Sequence, residues 1–359
     1  MPDPSRTGGG RLGVRSHHHW RKAAKVLRFI VRRLLQLIPT LGGLSILLFV
    51  WLQRLPGGPE YALLPDDATA EQREALRRSL GLDQPFTVQY LSFLRRIAQG
   101  DLGTSLQTGR PVLDEFFLRF PATFELAVSA MIIAVTIGLP LGYLAARRRG
   151  TALDFAAVGG SLLGICTPVF FLAFILKVIF AERLGMFPSA FRLSPGLSRT
   201  DITGFVVLDG LMTREWDVVW DALAHLVLPG LALASIPLAV ITRMTRASVL
   251  EVMGEDYVRT ADAKGLRRNT VRTRHVLRNA LLPVVTAVGL LAGSLFAGAV
   301  LTESVFAFPG IGSFVYAATQ ERDYPVLTGF ILLIATMYVF INLLVDISYS
   351  LLDPRVRAQ

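Results

Sequence analysis

Few side chains in this sequence could do chemistry, and they are scattered along its 359 residues. The imidazoles of His17–His19 could bind zinc or nickel, but the polar, glycine-rich tail around them favours a solvated run. The single cysteine, Cys166, excludes an intramolecular disulfide, and its apolar surroundings favour packing over a reactive thiolate. His225 and His275 stand alone, so we expect both to be structural. The sequence therefore predicts no metal site and no catalytic centre.

Acidic residues beside apolar stretches are the other chemical candidates, because a charge inside a membrane is costly and is retained mainly for function. Glu125 lies just inside such a stretch, where it could line a transport pathway or pair locally, and the sequence leaves both open. Glu303 precedes the Phe306–Gly312 turn, in which Phe308-Pro309-Gly-Ile-Gly is a compact reversal of the kind found in re-entrant segments. This turn could form an external gate, or it could serve only for packing.

No nucleotide site or other cofactor site is predicted, because the sequence has no Gly-x-x-x-x-Gly-Lys-Ser/Thr phosphate loop. This chain is therefore not expected to bind ATP in the usual way. Near the C-terminus, Asp346 and Asp353 are expected to pair with Arg355 or a loop arginine rather than to take part in transport.

The composition indicates that these residues are carried on membrane-spanning helices. Hydrophobic residues make up 52% of the chain and charged residues only 18%, whereas soluble domains contain about 25% charged residues. Six stretches without Asp, Glu, Lys or Arg are each long enough to cross a bilayer. They are Leu34–Gln53, Leu126–Ala146, Phe155–Leu176, Ala222–Thr242, Ala280–Thr302 and Tyr324–Val345. We predict an all-α polytopic membrane protein with about six transmembrane helices.

The net charge of +10 is distributed unevenly between the two sides of these helices. Segments on one side sum to about +15 and those on the other to about −5, and an excess of Lys and Arg marks the cytoplasmic side. Both termini of this multi-pass membrane protein are therefore predicted to be cytoplasmic. The positive charge is then a signal for orientation and for contact with membrane lipid, which argues against nucleic-acid binding.

The polar segments divide the chain into four parts. These are a basic cytoplasmic tail (1–33), a first span (34–53), an external helical subdomain (54–121) and a core with five further spans (122–359), which includes a long cytoplasmic loop (243–279). In the external subdomain, Thr69 and Gln72 form a capping box before one helix, Gly81 ends that helix, and Phe86–Gln99 gives a second helical pattern. The second external segment, Lys177–Asp221, offers only a loop.

The cytoplasmic segment Arg243–Asn279 is far longer than a turn between two spans needs, and long loops are usually functional. Leu250, Met253, Tyr257 and Ala261 recur at helical spacing, which predicts a short amphipathic helix.

Charged residues occupy the rest of this helix, with Glu255 and Arg259 placed as an i,i+4 pair. Lys264 and Gly265 are expected to end it. The polar face is largely acidic, which repels anionic lipid and favours a protein partner over the membrane surface.

These residues carry a resemblance. The stretch Asp256-Tyr-Val-Arg-Thr-Ala-Asp-Ala-Lys-Gly265, followed by Arg274-His-Val-Leu-Arg-Asn-Ala-Leu-Leu-Pro283, resembles the cytoplasmic coupling loop of permease subunits of binding-protein-dependent ABC importers. The general loop reads Glu-Ala-Ala, three residues, Gly, nine residues, Ile, one residue and Leu-Pro. This chain matches it at Ala261, Gly265 and Leu277 but has arginine in place of the Glu and the final Pro. Dipeptide, oligopeptide and nickel permeases share those departures.

Further strings resemble the same branch and extend over almost the whole chain after the N-terminal tail. They are Arg33-Leu-Leu-Gln-Leu-Ile-Pro-Thr-Leu, Pro56-Gly-Gly-Pro, Gly100-Asp-Leu-Gly-Thr-Ser, Arg119-Phe-Pro-Ala-Thr-Phe-Glu-Leu-Ala, Glu303-Ser-Val-Phe-Ala-Phe-Pro-Gly-Ile-Gly, Arg322-Asp-Tyr-Pro and Leu352-Asp-Pro-Arg. The long external segment after the first span resembles that of the permease usually named first of the two.

The resemblance implies an ATP-driven importer that moves short peptides of the dipeptide or oligopeptide class by alternating access. It implies as partners a second permease subunit, one or two ATPase subunits and an extracytoplasmic solute-binding protein. It also implies that the coupling loop seats in an ATPase groove, through Glu255, Tyr257, Arg259, Ala261, Lys264 and Gly265. Glu125, Glu303, Phe308 and Pro309 remain the candidates for the pathway or an external gate.

Alternatives remain at this point. An ion- or proton-coupled secondary carrier should show paired ionisable residues at mid-span, and a membrane enzyme needs a clustered acid–base or metal set; neither feature is found in the sequence. Nickel complexes, glutathione and haem stay open as solutes, because selectivity is implied to reside mainly in the binding protein.

Overall fold

The structure of the protein is a computed structural model that describes residues 35–36, 38–54, 69–79 and 81–352. The predicted tail 1–33 with His17–His19, and the C-terminal Asp353 and Arg355, lie outside the described residues. Within them the regular elements are helices. The longer ones are α1 Ile38–Arg54, α2 Ala70–Ser79, α3 Phe86–Ala98, α4 Val112–Arg147, α5 Ala152–Cys166, α6 Val169–Leu176, α7 Val206–Thr213, α8 Trp216–Met253, α9 Asp256–Ala263, α11 Arg278–Val305, α12 Ile311–Gln320 and α13 Tyr324–Leu352. A short α10, Arg268–Thr270, leads through a π-helical stretch, Val271–Leu277, into α11, and a second π-helical stretch, Lys177–Arg183, extends α6.

In the described part of the chain, four helices are long and apolar enough to cross a membrane. They are Val112–Arg147, Trp216–Met253, Arg268–Phe296 and Tyr324–Leu343. The pair Ala152–Cys166 and Val169–Arg183, bent by 106°, makes a fifth if it is one span, and α1 is a shorter apolar helix. The bend falls at Pro168, which lacks a backbone N–H and disfavours a helical residue before it. Each of the six predicted stretches overlaps one of these elements.

Two predicted elements differ from the structure. Helix α4 begins at Val112, and the charge-free stretch Leu126–Ala146 missed this start because the first turns of the helix carry Asp114, Glu115 and Arg119. The predicted loop Lys177–Asp221 contains the π-helical stretch, α7 and the start of α8. The glycines and prolines that suggested a loop lie mainly between these helices rather than within them.

Helices α4 and α8 form the centre of the bundle, with α11 packed against both. They approach closely at Gly142, where a Cβ atom would collide with the backbone oxygen of Thr242. Small residues allow such backbone contact between membrane helices, where apolar side chains gain nothing by leaving lipid. The buried core around this contact includes Leu126, Leu233 and Phe296.

The bundle has two ends, which we name after the short helices that lie there. At the α9 end, Ala146 of α4, Val249 of α8 and Ala280 of α11 pack against α9. At the α12 end, α12 packs against Val112 of α4 and Phe330 of α13.

Carboxylates hold the irregular segments of the α12 end. Asp323, before α13, accepts hydrogen bonds from Ser105 Oγ (2.7 Å) and from the Leu106 amide (2.8 Å). Asp209 of α7 accepts hydrogen bonds from the amides of Thr203 (2.9 Å) and Gly204 (3.0 Å). Burial raises the pKa of the Asp209 carboxyl, but hydrogen bonds from the preceding loop outweigh it and leave the pKa below its usual value. These loops therefore take one defined path across this end.

Candidate functional site

The predicted amphipathic helix of the long loop is interrupted by a break. Leu250 and Met253 belong to the last turn of α8, the chain turns at Gly254, and α9 begins at Asp256. The prediction of one continuous helix was wrong here because Glu255 is extended (φ −71°, ψ 143°) and glycine is a poor helix former. The predicted end is confirmed, since Gly265 has φ +73°, a conformation that a β-branched residue resists.

Helix α9 is seated on its own chain by Val258 and Ala261. Ala261 is only 4% exposed and lies in one apolar cluster with Ala146, Val249 and Ala280. Its methyl group therefore faces the ends of α4, α8 and α11 and is not part of a surface open to an ATPase groove. Ala261 therefore faces its own chain, whereas the sequence-based prediction had it face an ATPase groove.

Tyr257 lies at the edge of this seat and is 41% exposed. Its hydroxyl accepts a hydrogen bond from Asn279 Nδ2 (3.0 Å) and lies 3.4 Å from the carbonyl oxygen of His275, to which it donates. These two hydrogen bonds tie α9 to the start of α11 and to the π-helical stretch before it. His275 takes part through its backbone carbonyl.

The outward side of α9 is polar and exposed. Glu255, Arg259 and Lys264 all lie on it. The predicted side-chain pair of Glu255 with Arg259 is replaced by one between Arg259 Nη1 and Asp256 Oδ1, at 3.6 Å, because Glu255 precedes the helix and is not in helical register. Both partners are largely exposed, so this pair adds little stability. The charges on this face remain free to meet a partner.

The sequence did not predict an ion pair that joins α5 to the end of α8 next to α9. Arg246 of α8 binds Asp154 of α5 through both carboxylate oxygens, at 2.5 and 2.9 Å, and Asp154 also accepts a hydrogen bond from the Gly150 amide. Such a two-bond arginine–carboxylate contact fixes geometry as well as charge. It couples α5 to the end of α8 that carries α9. The partners are 92 residues apart, and no local spacing signals the pair.

Glu125 pairs locally, as one of its two predicted alternatives required. Its carboxylate accepts a hydrogen bond from Arg192 Nη2 (2.7 Å) and another from the Val207 amide (2.8 Å). Both side chains of the ion pair are nearly buried. Glu125 therefore ties α4 to the loop before α7.

Glu303 holds the turn between α11 and α12. Its side chain is fully buried and accepts hydrogen bonds from Thr123 Oγ1 (2.6 Å) and the Ser313 amide (2.9 Å), while its carbonyl accepts one from the Phe308 amide. Phe308 is buried beneath the turn, whereas Ala307 and Pro309 are exposed. Glu303 and Phe308 thus serve packing in this conformation, and neither lines an open passage.

Two comparisons with known proteins bear on these sites. A family model described as "Binding-protein-dependent transport system inner membrane component" matches residues 138–358, which include α9 and the Glu303 turn. The model for the N-terminal part of such components matches residues 26–127. The chain belongs to this family. It is therefore a multi-pass transport subunit of the bacterial inner membrane.

Its relatives are members of the family from several bacteria. The chain is 45% identical over 336 residues to the dipeptide transport system permease protein DppB of Escherichia coli K12, covering 92% of this chain and 99% of that protein. It is 46% identical over 336 residues to the di/tripeptide transport system permease protein DppB of Pseudomonas aeruginosa, covering 93% and 100%. The glutathione transport system permease protein GsiC of Pectobacterium atrosepticum is 38% identical over 332 residues, covering 92% and 99%.

The contribution of Glu303 to the stability of the turn between α11 and α12 can be tested by substituting Thr123. The Thr123 hydroxyl donates to Glu303 and accepts from the Ile311 amide (2.8 Å). Thr123→Val removes one donor from Glu303 and leaves the buried Ile311 amide without its acceptor, which we expect to cost about 1–3 kcal/mol. The measurement is the midpoint of thermal aggregation in detergent. Thr123→Ser retains the hydroxyl and should match wild type; equal loss in both variants would contradict the role given to this hydrogen bond.

Proposed function

We propose that this chain is the permease usually named first of the pair in an ATP-driven importer of short peptides, and that it forms half of the translocation pathway. The observation that carries the proposal is similarity over almost the whole chain to permeases named for dipeptides and di/tripeptides, at 45% and 46% identity. The pathway opens alternately to the two sides as the spans move as bodies.

Helix α9 is proposed to receive the force from an ATPase. Its inner face is fixed to the ends of α4, α8 and α11, and the Arg246–Asp154 contact extends this unit to α5. Its outer face offers Arg259, Asp256 and Lys264, with Met253 and Leu266 exposed beside them. A helix surface that carries both charged and apolar side chains is suited to dock in a groove of a partner protein. A displacement of α9 would then move four helices together.

The partners proposed are a second permease, one or two ATPase subunits that bind ATP and magnesium, and an extracytoplasmic solute-binding protein. The α9 end is proposed to face the cytoplasm, together with both termini. Support comes from the charge split of about +15 against −5 between the two sides. In a Cys166→Ser background, a cysteine at Gln107 should react with an impermeant maleimide added from outside, and reaction only from inside would contradict this orientation.

The proposed ATPase contact is tested by charge reversal at Arg259. The side chains of Arg259 and of its partner Asp256 are both largely exposed. Arg259→Glu should therefore leave the fold intact. We expect ATPase co-purification to fall about ten-fold or more, because a charge-assisted contact contributes about 1.5–3 kcal/mol. The matched control is Arg95→Glu at the other end of the chain's membrane core. Undiminished co-purification and peptide uptake in Arg259→Glu would refute the contact.

A secondary carrier is not favoured, since the family is one of binding-protein-dependent systems. Glutathione, itself a short peptide, is the solute named for one relative. That relative is 38% identical to this chain, whereas a dipeptide permease is 45% identical. Nickel complexes and haem have no such support. Co-purification of the binding protein, followed by identification of its solute, decides among them.

A further inference from the structure

A cavity of about 470 Å³ lies at the α12 end, away from α9 and from the Glu303 turn. It lies between α1, α3 and α13, and the segments before and after α3 complete its lining. The side chains that form its apolar wall are Phe49, Leu52, Val88, Phe93, Ile97 and Leu332. Its size falls within the range of small-molecule sites, about 300–1,000 Å³. Nothing in the peptide-import proposal uses it.

The location of the cavity points to lipid. Helix α13 is long and apolar enough to cross a membrane and α1 is a shorter apolar helix, so an apolar cavity between them suits a lipid tail. Helix α3 covers it and exposes Phe86 and Leu91, while its last turn carries Arg95 and Arg96. An amphipathic helix with apolar and basic residues is typical of the membrane interface. A cavity beside such a helix suits a ligand that has both acyl chains and a headgroup.

The rim of the cavity carries one charge of each sign. Arg96 lies on it, and among the described residues no carboxylate pairs with its guanidinium. Asp101 also lies on it, with Oδ1 accepting a hydrogen bond from the Gly103 amide (2.9 Å). Gln53 and Thr328 add neutral polar groups. A guanidinium matches a phosphate, and a carboxylate matches an ammonium.

We propose that this cavity binds one zwitterionic phospholipid with a primary amine, of the phosphatidylethanolamine class. An acyl chain fills the apolar wall, Arg96 binds the phosphate and Asp101 binds the ammonium group. An anionic phospholipid without an amine would meet Arg96 but be repelled by Asp101. The bound lipid would fasten α1 and α3 to α13.

The experiment measures lipid retained by the full-length protein in mild detergent, using native mass spectrometry. Delipidated protein is titrated with phosphatidylethanolamine or phosphatidylglycerol. We expect wild type to hold one phosphatidylethanolamine and to bind phosphatidylglycerol more weakly. Arg96→Gln should weaken phosphatidylethanolamine binding about ten-fold, the value of a charge-assisted hydrogen bond. Asp101→Asn, which keeps the oxygen that faces Gly103, should abolish the preference between the two lipids.

Two further variants complete the test. Val88→Trp places a bulky ring at the apolar wall from a half-exposed position, and should exclude the acyl chain without disturbing the buried core. Arg95→Gln changes the neighbouring charge, which does not line the cavity, and should bind lipid as wild type does. Equal affinity for both lipids in wild type, or unchanged binding in Arg96→Gln and Val88→Trp, would overturn the proposal.

Discussion

Replacing Ala261 with aspartate is expected to abolish peptide uptake while the membrane spans still insert. Ala261 is 4% exposed in the apolar cluster that seats α9, so an aspartate there would be buried among apolar side chains. An uncompensated buried charge costs about 3–5 kcal/mol. That cost corresponds to more than a hundred-fold loss of the seated form, at about 1.4 kcal/mol for each factor of ten. An unseated α9 cannot transmit a displacement to α4, α8 and α11.

The measurements are peptide uptake, membrane abundance and hydrogen exchange over residues 256–263. Ala263→Asp makes the same substitution on the exposed side of the same helix, and should leave exchange in α9 as slow as in wild type. Ala261→Ser tests polarity without charge, since a serine hydroxyl can bond to the helix's own carbonyl oxygens, and should retain most uptake. Normal uptake in Ala261→Asp would show that the seat plays no part in coupling.

Local signals in the sequence predicted local structure well. The capping box is confirmed by hydrogen bonds from the Thr69 amide to Gln72 Oε1 (2.9 Å) and from the Gln72 amide to Thr69 Oγ1 (3.3 Å). Gly81 and Gly265 end their helices with positive φ, as expected of glycine at a C-terminus. Each of these depends on residues within a few positions of one another. The apolar stretches likewise identified their helices, because a chain that crosses lipid must satisfy its own backbone hydrogen bonds.

The contacts that fix the ends of the bundle could not be predicted in this way. Ser105 reaches Asp323 across 218 residues, and Thr123 reaches Glu303 across 180. Serine, threonine, aspartate and glutamate are common residues. Whether any two of them form a hydrogen bond depends on which helices pack against each other. The direction of Ala261 was missed for a related reason. Periodicity places Ala261 on an apolar face but does not say whether that face meets its own chain or a partner.

The turn that Glu303 holds also depends on a glycine, which gives the second large expected effect. Gly312 lies in the first turn of α12, where a Cβ atom would collide with Val300 Cα of α11 and lie 2.9 Å from the Val300 amide nitrogen. Those atoms are main-chain atoms and cannot rotate away as a side-chain end would. Gly312→Ala should therefore cost about 3 kcal/mol, the upper part of the range for overpacking.

Separation of α11 and α12 would also remove the Ser313 amide from Glu303, leaving a buried carboxylate with fewer donors. Low membrane abundance and a lower aggregation midpoint are thus expected of Gly312→Ala. Gly160→Ala is the matched control, since no atom lies within 4 Å of its added Cβ and alanine favours a helix. If Gly312→Ala instead keeps full stability but loses uptake, the turn acts as a moving gate, because a purely structural turn cannot lose transport without losing stability.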